Sequence, residues 1–125
     1  MGDRKLPAMA AEDIGKCAYG VFQRGGEFVG KTVGIAGEHL TGAQLAEKMS
    51  RATGHDIRYN DVPPDVYRSL GFPGADDLGN MFQFKRDFNE YFCGARSVEF
   101  SRSLNPELQT FDAWLARHKH EIPIP

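Results

Sequence analysis

"GGEFVGKTVGIAG", residues 25–37, decides how this chain is read, because two incompatible architectures fit it. Gly25, Gly30, Lys31 and Thr32 satisfy the spacing G-x-x-x-x-G-K-[ST]. A phosphate-cradling loop of that pattern needs a strand entering and a helix leaving, so that backbone N–H groups and the helix N-terminus converge on the anion. The flanks run the other way. Upstream, Ile14, Cys17, Ala18, Val21 and Phe22 recur at helical spacing and stop at Gly25 and Gly26, which predicts an amphipathic helix before the glycines. Downstream, "KTVGIAG" carries the β-branched Thr32, Val33 and Ile35 and closes at Gly37, which predicts a strand. The stretch therefore reads as a helix-to-strand connection with Lys31 in solvent, and the order of elements disfavours a nucleotide-phosphate site.

The same rules extend outward. In "LTGAQLAEKMSRATG", residues 40–54, Thr41 and Gln44 have the spacing of a capping box, Leu40 and Leu45 that of a hydrophobic staple, and Gly54 that of a terminating glycine. Leu45, Ala46, Met49 and Ala52 form the inner face of that predicted helix. "DIRYNDVP", residues 56–63, alternates and predicts a half-exposed strand, followed by a short helix started by Pro64. Gly71, Pro73 and Gly74 break the chain. A longer helix then opens with Asp76 and Asp77 in its first turn and runs on through Phe92, apolar on more than one face. "SVEFSRSLNPELQT", residues 97–110, reads as a short extended segment and a turn at Asn105-Pro106. Thr110 caps a last helix with Phe111, Trp114, Leu115 and His118 in register, and "HEIPIP" is a frayed tail.

The 125 residues suit one domain, and 15 basic against 17 acidic residues without a Lys/Arg cluster argue against nucleic acid and membrane surfaces as partners. The expected location is the cytoplasm, with the nucleus as a second. No Tyr has a Lys four residues on, and G-x-S-x-G and H-E-x-x-H are absent. Gly30, Gly34 and Gly37 lack dinucleotide-loop spacing. His39 and His55 read as surface turn residues, and His118 and His120 diverge on a helix without accompanying ligands. Cys17 lies on the predicted inner stripe and Cys93 at a helix end, two reduced thiols of which neither has the setting of a nucleophile. No catalytic or metal-binding residue is assigned.

"EDIGK" (12–16), "GKTVGIAGEHLTGAQLAEKMSRATG" (30–54), "IRYNDVPPDVY" (57–67) and above all "LGFPGADDLGNMFQF" (70–84), with the late "LNPELQTFDAWLARHK" (104–119), resemble the C-terminal half of the NmrA-like family. That family is the atypical short-chain dehydrogenase/reductase group that includes NADP(H)-sensing redox regulators. The resemblance implies an α/β fold, the C-terminal part of a Rossmann-like structure, mostly helical with two or three short strands. Residues 1–125 would form a single substrate or partner lobe. The glycine-rich loop and the basic residues that select NADP belong to the N-terminal half of full-length relatives, which has no counterpart here, so NADP(H) is expected in those relatives and no cofactor residue is assigned in this chain. The helix from Ala75 would line the ligand cleft, with Asn80, Met81 and Phe84 facing it or, alternatively, packed as core. The implied function is a non-catalytic NADP(H)-sensor, regulatory or protein-interaction lobe; the second reading is part of an NAD(P)-dependent oxidoreductase. Without the other half, Phe22, Val33, Ile35 and part of the Met81–Phe92 helix would lack cover, so a protein partner or self-association is expected.

Overall fold

The computed structural model describes residues 1–124. Two three-residue strands, β1 (Leu6–Ala8) and β2 (Glu38–Leu40), pair antiparallel with Leu6 opposite Leu40 and Ala8 opposite Glu38. Around them lie seven α-helices: α1 (Ala11–Gln23), α2 (Gly42–Thr53), α3 (Pro64–Arg68), α4 (Ala75–Asp87), α5 (Asn89–Gly94), α6 (Val98–Leu104) and α7 (Phe111–His118). Short 3-10 turns follow α1 (Gly25–Phe28) and α7 (Lys119–Glu121). The mostly helical content with two short strands is the arrangement expected of this fold class, but the strands are not where periodicity placed them. Residues 31–37 run without sheet pairing, and the strand begins one residue later, at Glu38. The alternating 56–63 segment pairs with no strand either; the Ser50 hydroxyl of α2 holds it instead, accepting from Ile57 N–H at 2.9 Å.

Helix α2 forms for the reasons its sequence states. Thr41 accepts from Gln44 N–H at 3.1 Å, the Gln44 side chain accepts from Thr41 N–H at 2.9 Å, and Gly54 takes the left-handed conformation (φ 75°) that ends the helix. Thr110 caps α7 through Ala113 N–H. Two helical expectations need correction. Residues 98–104 are not extended: Ser97 accepts from Phe100 N–H at 3.1 Å and starts α6, whose inner positions Ser101 and Leu104 sit at helical spacing. The apolar alternation of Val98 and Phe100 hid this, because one inner residue is a serine. The predicted long helix is in fact α4 and α5, separated at Phe88 (φ −109°, ψ 37°). The Asn89 amide donates to the carbonyls of Lys85 and Lys5 at 2.9 and 2.8 Å, competing locally with the helical ladder.

The buried side of α1 is small and polar. Asp13, Cys17 and Gly20 are buried, whereas Ile14, Ala18 and Phe22 of the predicted inner stripe are exposed. Asp13 is fully buried; one carboxylate oxygen accepts from Asn105 Nδ2 at 3.1 Å and the other from Gln109 N–H at 2.9 Å. Cys17 packs with Leu104 and Leu108, and Met9, Val21, Phe28, Val33, Ile35, Val98 and Phe100 close around them. Gly20 lets α1 approach α6 so closely that a Cβ there would lie 2.2 Å from the Leu104 carbonyl oxygen. A second tie joins α3 to α4: Arg68 donates to Asn80 and Gln83 at 3.1 and 2.7 Å.

At the amino end, Asp61 accepts from Gly2 N–H at 2.9 Å and from the N-terminal ammonium at 3.1 Å. The Gly2 bond first, and the ammonium and Tyr59 after it, hold the Asp61 carboxyl down at about 2. Because the folded value is depressed, this attachment is complete above the ordinary carboxylate range near pH 4 and is lost as pH falls through about 2. Two predictions follow from these contacts. Gly20→Ala lowers stability by about 1–3 kcal/mol through overpacking, while Gly15→Ala on the same helix, with open space around it, raises it by about 0.5–1 kcal/mol. Chemical denaturation of both variants checks the opposite signs. An NMR titration should show the Asp61 carboxyl and the Gly2 amide moving together with a midpoint near 2; an ordinary midpoint near 4 contradicts the attachment.

Candidate functional site

The outward side of α1 is where this fold leaves chemistry uncovered. Ile14, Ala18 and Phe22 fall four residues apart on one line of the helix, and Ile14 is 51% and Phe22 78% exposed. The chain returns past this line after the 3-10 turn, so that Val33 and Ile35 join Ile14, Ala18 and Phe22 around a shallow apolar hollow of about 260 Å³. The returning segment is anchored at both ends. Lys31 N–H donates to the Phe28 carbonyl at 3.0 Å, Ala36 N–H to the Ser101 hydroxyl at 2.9 Å, and Gly37 N–H to the Ala8 carbonyl at 2.8 Å. Gly34 is pressed against α5's end, where a Cβ would lie 1.9 Å from the Ala95 carbonyl oxygen. Between these anchors, the N–H and C=O groups of Thr32, Val33, Gly34 and Ile35 make no hydrogen bond among the described residues. Four successive peptide groups without a hydrogen bond thus lie beside exposed Ile14 and Phe22, while the Val33 and Ile35 side chains pack inward against the Cys17 cluster.

The glycine pattern at its start does not form a phosphate cradle. Gly25 and Gly30 adopt positive φ (59° and 72°) in the turn after α1, and Thr32 enters the open segment and no helix. Lys31 is exposed, with Nζ 5.9 Å from the Phe28 ring centroid. The sequence placed this lysine in solvent after a helix, and the structure agrees.

On α4, Asn80 is exposed and accepts from Arg68, Met81 is half-buried, and Phe84 is 43% exposed with its ring against Phe88 and Phe92, centroids 5.2 and 6.4 Å away. These three do not converge on the two roomiest cavities described. One, of about 390 Å³, takes Phe82 from α4 together with Leu45, Met49, Tyr59 and Tyr67; the other, of about 480 Å³, takes none of α4. Burial, and then the hydrogen bond to Asp61, push the Tyr59 hydroxyl up. Next to Phe84, Lys85 and Arg96 both approach the Phe92 ring, at 5.3 and 3.8 Å from its centroid. Burial and then the neighbouring Arg96 charge lower the Lys85 ammonium.

His39 corrects its expectation as a turn residue: it lies in β2, half-buried, and its Nε2 is 2.7 Å from the Arg96 carbonyl oxygen. His55 is an exposed turn residue as expected. Neither cysteine is bridged, and burial raises both thiols, that of Cys17 further through Asp13. What sequence reasoning missed is the unpaired segment itself; its signal was a β-branched run ending in a glycine immediately before the strand.

Comparison with known proteins places the chain in a family. The model of the NmrA-like family matches residues 1–115. The chain is similar to the Prestalk A differentiation protein A of Dictyostelium discoideum, 29% identical over 70% of this chain and 31% of that protein. It is also similar to the NmrA-like family domain-containing oxidoreductase lnbB of Aspergillus flavus, 26% identical over 90% of this chain and 34% of the relative. NmrA-like family domain-containing protein 1 of Rattus norvegicus is 31% identical over 70% of this chain and 57% of its own length. The chain thus spans about a third of the length of two of these relatives and just over half of the third.

Proposed function

The chain belongs to the NmrA-like family, and on that premise we propose that it is a non-catalytic regulatory or protein-interaction lobe of the NADP(H)-sensing type, working through contact with another polypeptide surface. The observation that carries this reading is the open edge at Thr32–Ile35 beside exposed Ile14 and Phe22. A parallel Rossmann-like sheet is covered on both faces and paired along its strands, so an edge and helix face of this kind take a strand and a layer from elsewhere. In the longer relatives a dinucleotide-binding half would fill that role; for the 125-residue chain tested by itself the proposed occupant is a second copy. Cytoplasm and nucleus are the proposed locations; no helix among the described residues is long and apolar enough to cross a membrane. Asn80 and Phe84 on α4 are proposed as residues facing the ligand cleft that the joined halves would create, with Met81 beside them.

One relative favours the second reading. The Aspergillus relative is named an oxidoreductase and matches 90% of this chain, so the lobe could instead complete an NAD(P)-dependent enzyme. Ligand binding separates the possibilities. NADPH at millimolar concentration is expected to leave the thermal midpoint of the 125-residue chain unchanged, because no glycine loop here cradles a pyrophosphate; a midpoint that rises and saturates at micromolar NADPH contradicts the reading. Light scattering coupled to gel filtration is expected to give a mass above the monomer. Ile14→Ser with Phe22→Ser should return it to monomer while changing stability by only about 0.5 kcal/mol, as both side chains lie mostly in solvent. A monodisperse wild-type monomer at high concentration contradicts the role given to this face.

A further inference from the structure

A cavity of about 480 Å³ opens where β1 and β2, the start of α1, α2 and α7 meet. That is the size of a small-ligand site. Its apolar surface comes from Met9, Leu40, Leu45 and an aromatic ladder on α7. Phe111, Trp114 and His118 follow one another at helical spacings of three and four, so their rings lie in series. Phe111 and Trp114 are near-parallel (13°) with centroids 6.1 Å apart, and Trp114 and His118 (22°) are 4.9 Å apart.

The carboxylates and ammonium groups are unevenly placed: acids line the cavity, and the nearest lysine, Lys48, stands behind them. Glu12, Glu38 and Glu121 line the cavity from three different elements, and no Lys or Arg does. Each carboxylate is positioned by a neighbour. Glu38 accepts from Phe111 N–H at 2.6 Å and lies 3.8 Å from Lys48, whose ammonium also engages Asp112. Glu12 accepts from Gln109 Nε2 at 2.7 Å through one oxygen, and Glu121 faces His118 Nδ1 at 3.2 Å. Carboxylates have about four lone-pair positions, so each retains acceptor capacity beyond these bonds. The three do not gather tightly enough to hold a metal: no group of three such side chains among the described residues does. An anion would meet three carboxylates in the lining, with Lys48 paired behind Glu38, whereas an extended cation with an apolar body would meet carboxylates at its head and aromatic faces along its length.

We propose that this cavity binds an organic cation, an amine or quaternary ammonium carried on an aromatic or similarly apolar body. The site is separate from the open edge of α1 and stands whether or not that edge finds a partner.

Trp114 is the chain's one tryptophan, so its emission reports occupancy directly. Benzyltrimethylammonium and benzylamine, titrated against the whole chain, are expected to change that emission saturably. Phenylacetate, of similar size and opposite charge, should bind at least about tenfold more weakly, with benzyl alcohol between. Glu121→Gln, at an exposed position outside the core, and Glu12→Gln should each weaken the cations severalfold and leave benzyl alcohol unchanged, with the thermal midpoint confirming that both variants fold. Equal binding of phenylacetate and benzylamine overturns the proposal. So does an emission that never saturates with either cation, or cation affinity unmoved by both substitutions.

Discussion

The carboxylate of Asp13 is the point on which the other contacts depend. A fully buried acid is costly unless its oxygens are hydrogen-bonded, and here Asn105 and the Gln109 backbone meet one oxygen each. Hydrogen bonds to a charged group are worth about 1.5–3 kcal/mol apiece, and an orphaned donor on either partner would be penalised by a similar amount. The effect is to fasten the first turn of α1 to the loop between α6 and α7. With that end held, Gly20 meets the Leu104 carbonyl and Cys17 lies 3.7 Å from the carbonyl of Ser101. The hydroxyl of the same Ser101 then accepts from Ala36 N–H. A line of contacts thus runs from one buried acid to the far anchor of residues 32–35.

This arrangement explains why α1 turns its apolar residues outward. Its inner face must fit an acid, a thiol and a glycine against a neighbouring backbone, which leaves Ile14, Ala18 and Phe22 without cover. Exposed apolar surface next to unpaired peptide groups is normally selected against, because both invite association. Its presence here is the reason a covering partner is proposed for this face.

Much of the helical structure was legible in the sequence because it rests on local chemistry. The Thr41–Gln44 box, Gly54, Pro64 and the Thr110 cap act within a turn of themselves, and each appears where its residues place it. The errors share a cause in long-range contacts. Val33 and Ile35 have strand composition, but a strand needs a neighbour, and the described residues supply none at that position. Strands β1 and β2 are not joined by a hairpin turn: the whole of α1 and the turn after it lie between them. Helix α6 was masked because its inner positions include Ser101, buried to hold Ala36 and contributing nothing to an apolar pattern. The break at Phe88 depends on Asn89 reaching Lys5, which lies 84 residues away. For the site, the resemblance pointed to α4, and Asn80, Met81 and Phe84 stand apart from the two roomiest cavities described. The aromatic ladder of α7 was visible as a helical stripe, but the acids that give its cavity a sign come from elements far apart in sequence.

Hydrogen exchange at single-residue resolution tests the account most directly. The amides of Thr32, Val33, Gly34 and Ile35 are predicted to exchange almost without protection in a dilute sample, while those of α2 and Ala36 are retained, and to gain protection as concentration or an added partner half covers the edge. Protection of these four amides in the dilute monomer would reveal an internal partner, and their continued rapid exchange in an assembled form would show that the interface lies elsewhere; either result contradicts an open edge as the working surface of this chain.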